Sequence, residues 1–128
     1  MSEKTIYRVE ATDKTPAVAL DPASGTVSIK GTSIPENADG FFTPLFDRIS
    51  SYAEAPATRT LIRVELDYFN SSTAKYLLDI LKRLEDAHAS GSSVVNLEWV
   101  HAEDDLDMQE AGQDYRDLLE FPVRLVVR

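Results

Sequence analysis

The strongest constraint on the fold of this chain is a repeated change of period. Residues 61–66 (LIRVEL) largely alternate inward and outward side chains, as a strand does. Residues 71–88 then switch to a helical repeat, with Ala74, Leu77, Leu78, Leu81 and Leu84 down one face. His88 near the end of that stretch and Gly91 beyond it suit a helix C-terminus. The switch recurs downstream: residues 93–101 (SVVNLEWVH) read as a strand, 106–119 as an acidic amphipathic helix, and 121–127 as a last strand. Upstream, residues 5–10 and 17–20 read as short strands. Asp21-Pro22-Ala23-Ser24-Gly25 is turn chemistry, and residues 26–30 (TVSIK) return as the second arm of a hairpin. Residues 31–37 read as a loop. A helix follows over about 38–53, with Phe42, Leu45, Phe46 and Ile49 on one face. Pro44 fits that helix best if its regular part begins close to the proline. A hairpin followed by strand–helix alternation predicts an α/β fold of a single domain, a mixed β-sheet packed with about three helices.

The length of 128 residues suits one domain spanning the whole chain and is enough to bury a core without covalent staples. Cysteine is absent, which excludes disulfides, thiolate metal sites and cysteine nucleophiles. The net charge of −9 disfavours nucleic acid as a partner. No apolar run approaches the roughly 20 residues that span a bilayer. Residues 1–4 (MSEK) open neither a signal peptide nor a transit peptide. The expectation is a soluble, cytoplasmic protein with no membrane partner. Its acidity is uneven. Between Glu103 and Glu120 stand eight acids and the single base Arg116, a net −7 of the chain's −9. One edge of the molecule should therefore carry a concentrated negative field.

Catalytic chemistry finds little support. His88 is accounted for by its helix-end position. His101 precedes Glu103, Asp104, Asp105 and Asp107, a run that invites a divalent-cation reading and a small enzyme built on it. A hard-cation loop needs oxygen ligands at alternating positions and a glycine for the turn; Ala102 and Leu106 interrupt the run and no glycine lies within it. An acidic first helical turn explains the same residues. The five glycines are isolated, so no phosphate-cradling loop exists. Glu65 and Asp67 share a strand face, as many solvated pairs do. No catalytic residue, metal or cofactor is assigned.

One constellation stands apart. Tyr68-Phe69-Asn70-Ser71-Ser72-Thr73-Ala74-Lys75 joins a strand to the clearest helix, with three consecutive hydroxyls where a helix has free backbone N–H groups. Asn70 or Ser71 can act as N-cap, and a phosphoryl group on one hydroxyl would meet the same donors and the positive dipole end. Both readings are compatible, because an N-cap hydroxyl can also be a phosphoacceptor.

The order of several short motifs points further. Thr15-Pro16, Gly31-x-Ser33-x-Pro35-Glu36-Asn37, Tyr68-Phe69-Asn70-Ser71-Ser72, Glu98-Trp99, Asp104-Asp105 and Gly112 follow one another from about residue 15 to 126. In these the chain resembles the SiaC family of bacterial regulatory phosphoproteins, similar in logic to anti-sigma-factor antagonists. The resemblance implies a STAS-like domain that is not an enzyme but a partner-switch component. It implies a Ser/Thr kinase that modifies a hydroxyl at the start of the central helix and a metal-dependent phosphatase that reverses it. The unmodified form would bind a target, in the best-known systems a diguanylate cyclase of cyclic-di-GMP signalling and biofilm regulation; which target this chain controls does not follow from the resemblance. The family acceptor, commonly threonine, falls on Ser71, with Ser72 and Thr73 as secondary candidates, Asn70 shaping the turn and Lys75 as phosphate partner. Two positions depart from the pattern: Ser71 replaces that threonine, and Ile34 stands where the family often has an aromatic residue.

Overall fold

The computed structural model describes residues 5–128; residues 1–4, read above as no leader, lie outside the described residues. A six-stranded sheet runs in the simple order β1 (Tyr7–Val9), β2 (Ala17–Asp21), β3 (Thr26–Ser33), β4 (Arg59–Phe69), β5 (Val94–His101), β6 (Val123–Val127). The first three strands are antiparallel and β3 to β6 are parallel, so the sheet is mixed as expected. Parallel neighbours need crossovers, supplied by α1 (Ala38–Glu54), α2 (Ser71–Ala89) and α3 (Leu106–Leu118). With strands added in one direction and right-handed crossovers, all three helices fall on one face. One core results, in which Val27, Ile29, Ile62, Val64, Val95, Leu97 and Trp99 meet Phe42, Ile49, Leu77, Leu81 and Tyr115. Among the described residues no helix is long and apolar enough to cross a membrane.

The uncovered sheet face is tied by charge. Glu98 on β5 accepts from Arg63 (2.9 Å) and Arg124 (2.8 Å), and the Arg124 guanidinium, with Arg63, holds its carboxyl below the usual carboxylate range. Arg128 spans Glu65 (3.1 Å) and Asp67 (2.7 Å), so the strand-face carboxylates are an ion-pair platform.

Three local features differ from expectation. The β3–β4 pair continues beyond Lys30 and Leu66: Gly31 faces Leu66, Thr32 faces Tyr68, and Asp67 is left as a bulge. Gly31 adopts φ +128°, a backbone conformation open to glycine, and this lets the strand continue where a loop was expected. Pro44 stands inside α1, not near its start. The Asn37 cap, whose Oδ1 accepts from the Gly40 amide at 3.0 Å, and the burial of Phe42, Leu45 and Ile49 outweigh the lost backbone bond. In α2 the core face is Thr73, Leu77, Ile80, Leu81, Leu84 and Ala87, while Ala74 and Leu78 are only half-buried.

Candidate functional site: the start of α2 and the groove beside it

The bulge at Asp67 decides what stands at the head of α2. It turns Tyr68 outward and Phe69 inward, and Phe69 packs edge-on against Trp99 at 5.9 Å. Asn70 then leaves the strand in extended conformation, and its amide donates to the Ser33 carbonyl at 3.1 Å. Its side chain is the N-cap: Oδ1 accepts from the Thr73 amide (3.0 Å) and from the Ser72 hydroxyl (3.0 Å). Thr73 is fully buried. Its hydroxyl donates to the Ser33 carbonyl (3.1 Å) and lies 2.7 Å from the Ser33 hydroxyl, joining the first turn of α2 to the end of β3.

The three adjacent hydroxyls therefore differ in environment. Thr73 is inside the protein with both hydrogen-bonding capacities engaged, Ser72 is half-buried and donates to the cap, and Ser71 is exposed. Lys75 is also exposed, with its ammonium 5.5 Å from the centre of the Tyr76 ring and no ion pair among the described residues. The acids considered for a cation do other work. Asp105 caps α3, accepting from the Met108 amide at 3.1 Å; Asp107 lies in the first turn, and Glu103 and Asp104 face solvent. Among the described residues no three His, Asp or Glu side chains are grouped as a metal centre would need. The histidines are held by the backbone: His88 Nδ1 accepts from the Val95 amide (3.1 Å), and buried His101 bonds the Ala102 carbonyl (2.8 Å).

Sequence reasoning missed the surface next to Ser71. A groove of about 500 Å³ opens between α2 and α3, lined by Phe69, Ala74, Lys75, Leu78, Ala111, Asp114, Tyr115 and Leu118. Ser71, Ala74, Lys75 and Leu78 are spaced i, i+3, i+4, i+7, so Ser71 heads the same helical stripe. On α3 the stripe is Ala111, Asp114, Tyr115 and Leu118, with identical spacing. The two spacings are visible in the sequence; their confrontation across a groove is tertiary. Tyr115 bridges the floor, its hydroxyl donating to the Ala74 carbonyl at 3.0 Å.

Burial, with a smaller effect from Asp114, pushes the Tyr115 phenol up to about 12. Between pH 10 and 12 the native state keeps a proton that the unfolded chain has lost, so stability falls as pH rises through that window. The loss should approach the order of 2 kcal/mol, and Tyr115→Phe should remove that slope. Urea melts at several alkaline pH values check this; parallel slopes for the two proteins would contradict it.

Comparison with known proteins follows the same geometry. The sequence profile of SiaC family regulatory phosphoproteins matches residues 9–128. The chain belongs to the SiaC family. A relative from Pseudomonas aeruginosa is 30% identical over 114 residues, covering 89% of this chain and 90% of the relative. The crystal structure of apo-SiaC from that organism superposes with a TM-score of 0.87 at 28% identity, over 96% of this chain and 99% of that one. A chain in the structure of the diguanylate cyclase SiaD in complex with its activator SiaC superposes with a TM-score of 0.90 at 28% identity, over 95% of this chain and 99% of that one. Among the motif residues, Ser33 bonds Asn70 and Thr73, Asp105 caps α3, and α3 crosses Trp99 at Gly112.

Proposed function

We propose that this protein is a non-enzymatic signalling switch, set by reversible phosphorylation of Ser71. In this reading a Ser/Thr kinase adds the phosphate, a metal-dependent phosphatase removes it, and the unmodified form binds and regulates a diguanylate cyclase. The SiaC family membership and the relative's complex with SiaD support the regulatory class and the kind of target. The observation that carries the choice of residue is exposure: of the three hydroxyls at the head of α2, Ser71 alone is exposed. It also heads the stripe that lines the groove. A kinase must extract the hydroxyl into its own active site, which is costly for Thr73 because its removal would break two bonds to Ser33. The open amides of the first turn and Lys75 one turn on are the local partners for a phosphate at Ser71.

Mass mapping of protein isolated from its host, or treated with its kinase and ATP, should find one added phosphate on Ser71. Ser71→Ala should abolish it. Undiminished labelling of that variant would move the acceptor to Ser72 or Thr73, and no labelling of the parent protein would remove the switch altogether.

A further inference from the structure

We propose that β6 is a docking edge for a second copy of this chain: two β6 strands pair antiparallel about a two-fold axis through Leu125, joining the two sheets into one.

The backbone supplies the reason. Among the described residues β6 pairs with β5 alone, so its other side is an edge. A parallel strand bonds its neighbour through every second residue. The Pro122 carbonyl accepts from the Leu97 amide at 3.0 Å, and the Arg128 amide donates to the His101 carbonyl at 3.0 Å, so the even-numbered residues face β5. Val123, Leu125 and Val127 therefore turn their N–H and C=O groups outward. Proteins normally blunt such an edge with proline, a bulge, an exposed lysine or a very short strand. The opposite edge, β1, is three residues long. β6 has five, Val-Arg-Leu-Val-Val, with no bulge in its register. Its Arg124 turns to the uncovered sheet face, where Glu98 holds it at 2.8 Å. Leu125 is only half-buried against the core, and Val127 is 57% exposed.

Self-complementarity selects the second copy as the occupant. The three outward residues are symmetric about Leu125, and antiparallel residues that exchange backbone bonds stand directly opposite one another. A two-fold axis at Leu125 sets Leu125 against Leu125 and Val123 against Val127, and every outward N–H and C=O finds a partner. Arg124 then opposes Val126, so no like charges meet on the uncovered face. On the other face α3 comes close to the axis. Gly112 packs on Trp99, and Trp99 is in register with Leu125, so the axis passes α3 near Gly112. One flank of α3 lines the groove with α2 and another faces the core. The flank left for the edge is Gln109, Gln113 and Arg116. The acids Asp107, Glu110, Asp114 and Asp117 lie on the groove and solvent sides. Gln109 and Arg116 stand on either side of Gly112, so an antiparallel mate sets amide against guanidinium and keeps carboxylates apart. In a chain of net charge −9, this is the side on which two copies can meet.

The full-length protein, which has no native cysteine, suits a direct test. Sedimentation over a concentration series should show a monomer–dimer equilibrium, and hydrogen exchange should slow at the Val123, Leu125 and Val127 amides as dimer accumulates. Leu125→Cys should cross-link to its own mate under mild oxidation, because opposed Cα atoms about 5.5 Å apart are within disulfide reach. Val127→Cys should not, since its two copies are four residues out of line, about 13 Å apart. Val127→Pro removes an outward N–H and spares the bonds to β5. It should weaken dimerisation about tenfold or more while the monomer keeps its circular dichroism. A monomer at every concentration, equal cross-linking of the two cysteine variants, or a dimer indifferent to Val127→Pro would overturn the proposal.

Discussion

Trp99→Ala should lower the unfolding free energy by about 3–5 kcal/mol, a large part of the stability of a domain this size. Trp99 is fully buried where three elements meet, edge-on to Phe69, tilted at 5.1 Å against Tyr115, and donating to the Met108 carbonyl at 2.9 Å. Gly112 is the counterpart on α3. In an exposed helix interior, alanine in place of glycine would stabilise by about 1 kcal/mol. Here the added Cβ would stand 2.4 Å from Trp99 Cδ1 and 2.9 Å from Cγ and Nε1. The indole is held on three sides, so α3 must lift instead. Gly112→Ala should therefore destabilise by about 1–3 kcal/mol despite its better helix propensity. Trp99→Phe leaves space for the methyl, so combining it with Gly112→Ala should cost less than the two changes added together. Denaturant melts of the four proteins measure this directly. A Gly112→Ala variant as stable as its parent, or strict additivity, would mean that the contact does not restrain α3.

Those two residues also show what could be read from the chain and what could not. The identity of α2 follows from its repeat and was legible in Leu77, Leu81 and Leu84, all of which are buried. Its cap was legible as one of two residues, and the Asn70 side chain fills the role by reaching the Thr73 amide. The length of the β3–β4 pair was not, because Gly31-Thr32-Ser33-Ile34-Pro35 has loop composition and only pairing across the bulge makes its first three residues strand. Pro44 misled for a related reason: the local penalty is real, but burial of the residues around it is a tertiary gain. Ala74 and Leu78 share the α2 repeat with the core residues, and periodicity alone cannot tell a side chain facing the sheet from one facing a groove. The acidic stretch was legible as a field. Its division into a cap at Asp105 and a row beside the groove required the placement of α3.

Phosphorylation of Ser71 should weaken binding of the diguanylate cyclase about a hundredfold while leaving the fold almost unchanged. The modification brings about −1.5 to −2 charges and three acceptor oxygens. Within the protein these are tolerated, since Ser71 is exposed and the helix start offers amides and its dipole, at roughly 0.3–2 kcal/mol. Across an interface the balance reverses. Ser71 heads the stripe of Ala74, Lys75 and Leu78, so an apolar ridge seated on that stripe would have to cover a dianion or stay off it. Lys75 adds to the effect, because a phosphate one turn before it claims the cation that a partner would otherwise meet on this rim. A hundredfold loss corresponds to about 2.8 kcal/mol, well within what one desolvated charge can cost. Ser71→Asp carries one charge on a shorter arm and should weaken binding only partly, whereas Ser71→Ala should keep it. Interferometry with the cyclase, alongside circular dichroism of each form, should rank Ala near the parent, Asp below it and the phosphoprotein lowest, with superimposable spectra. Equal affinity across the series would leave a constitutive adaptor in place of a switch, and a large spectral change on phosphorylation would place the effect in the fold of the domain and not at its surface.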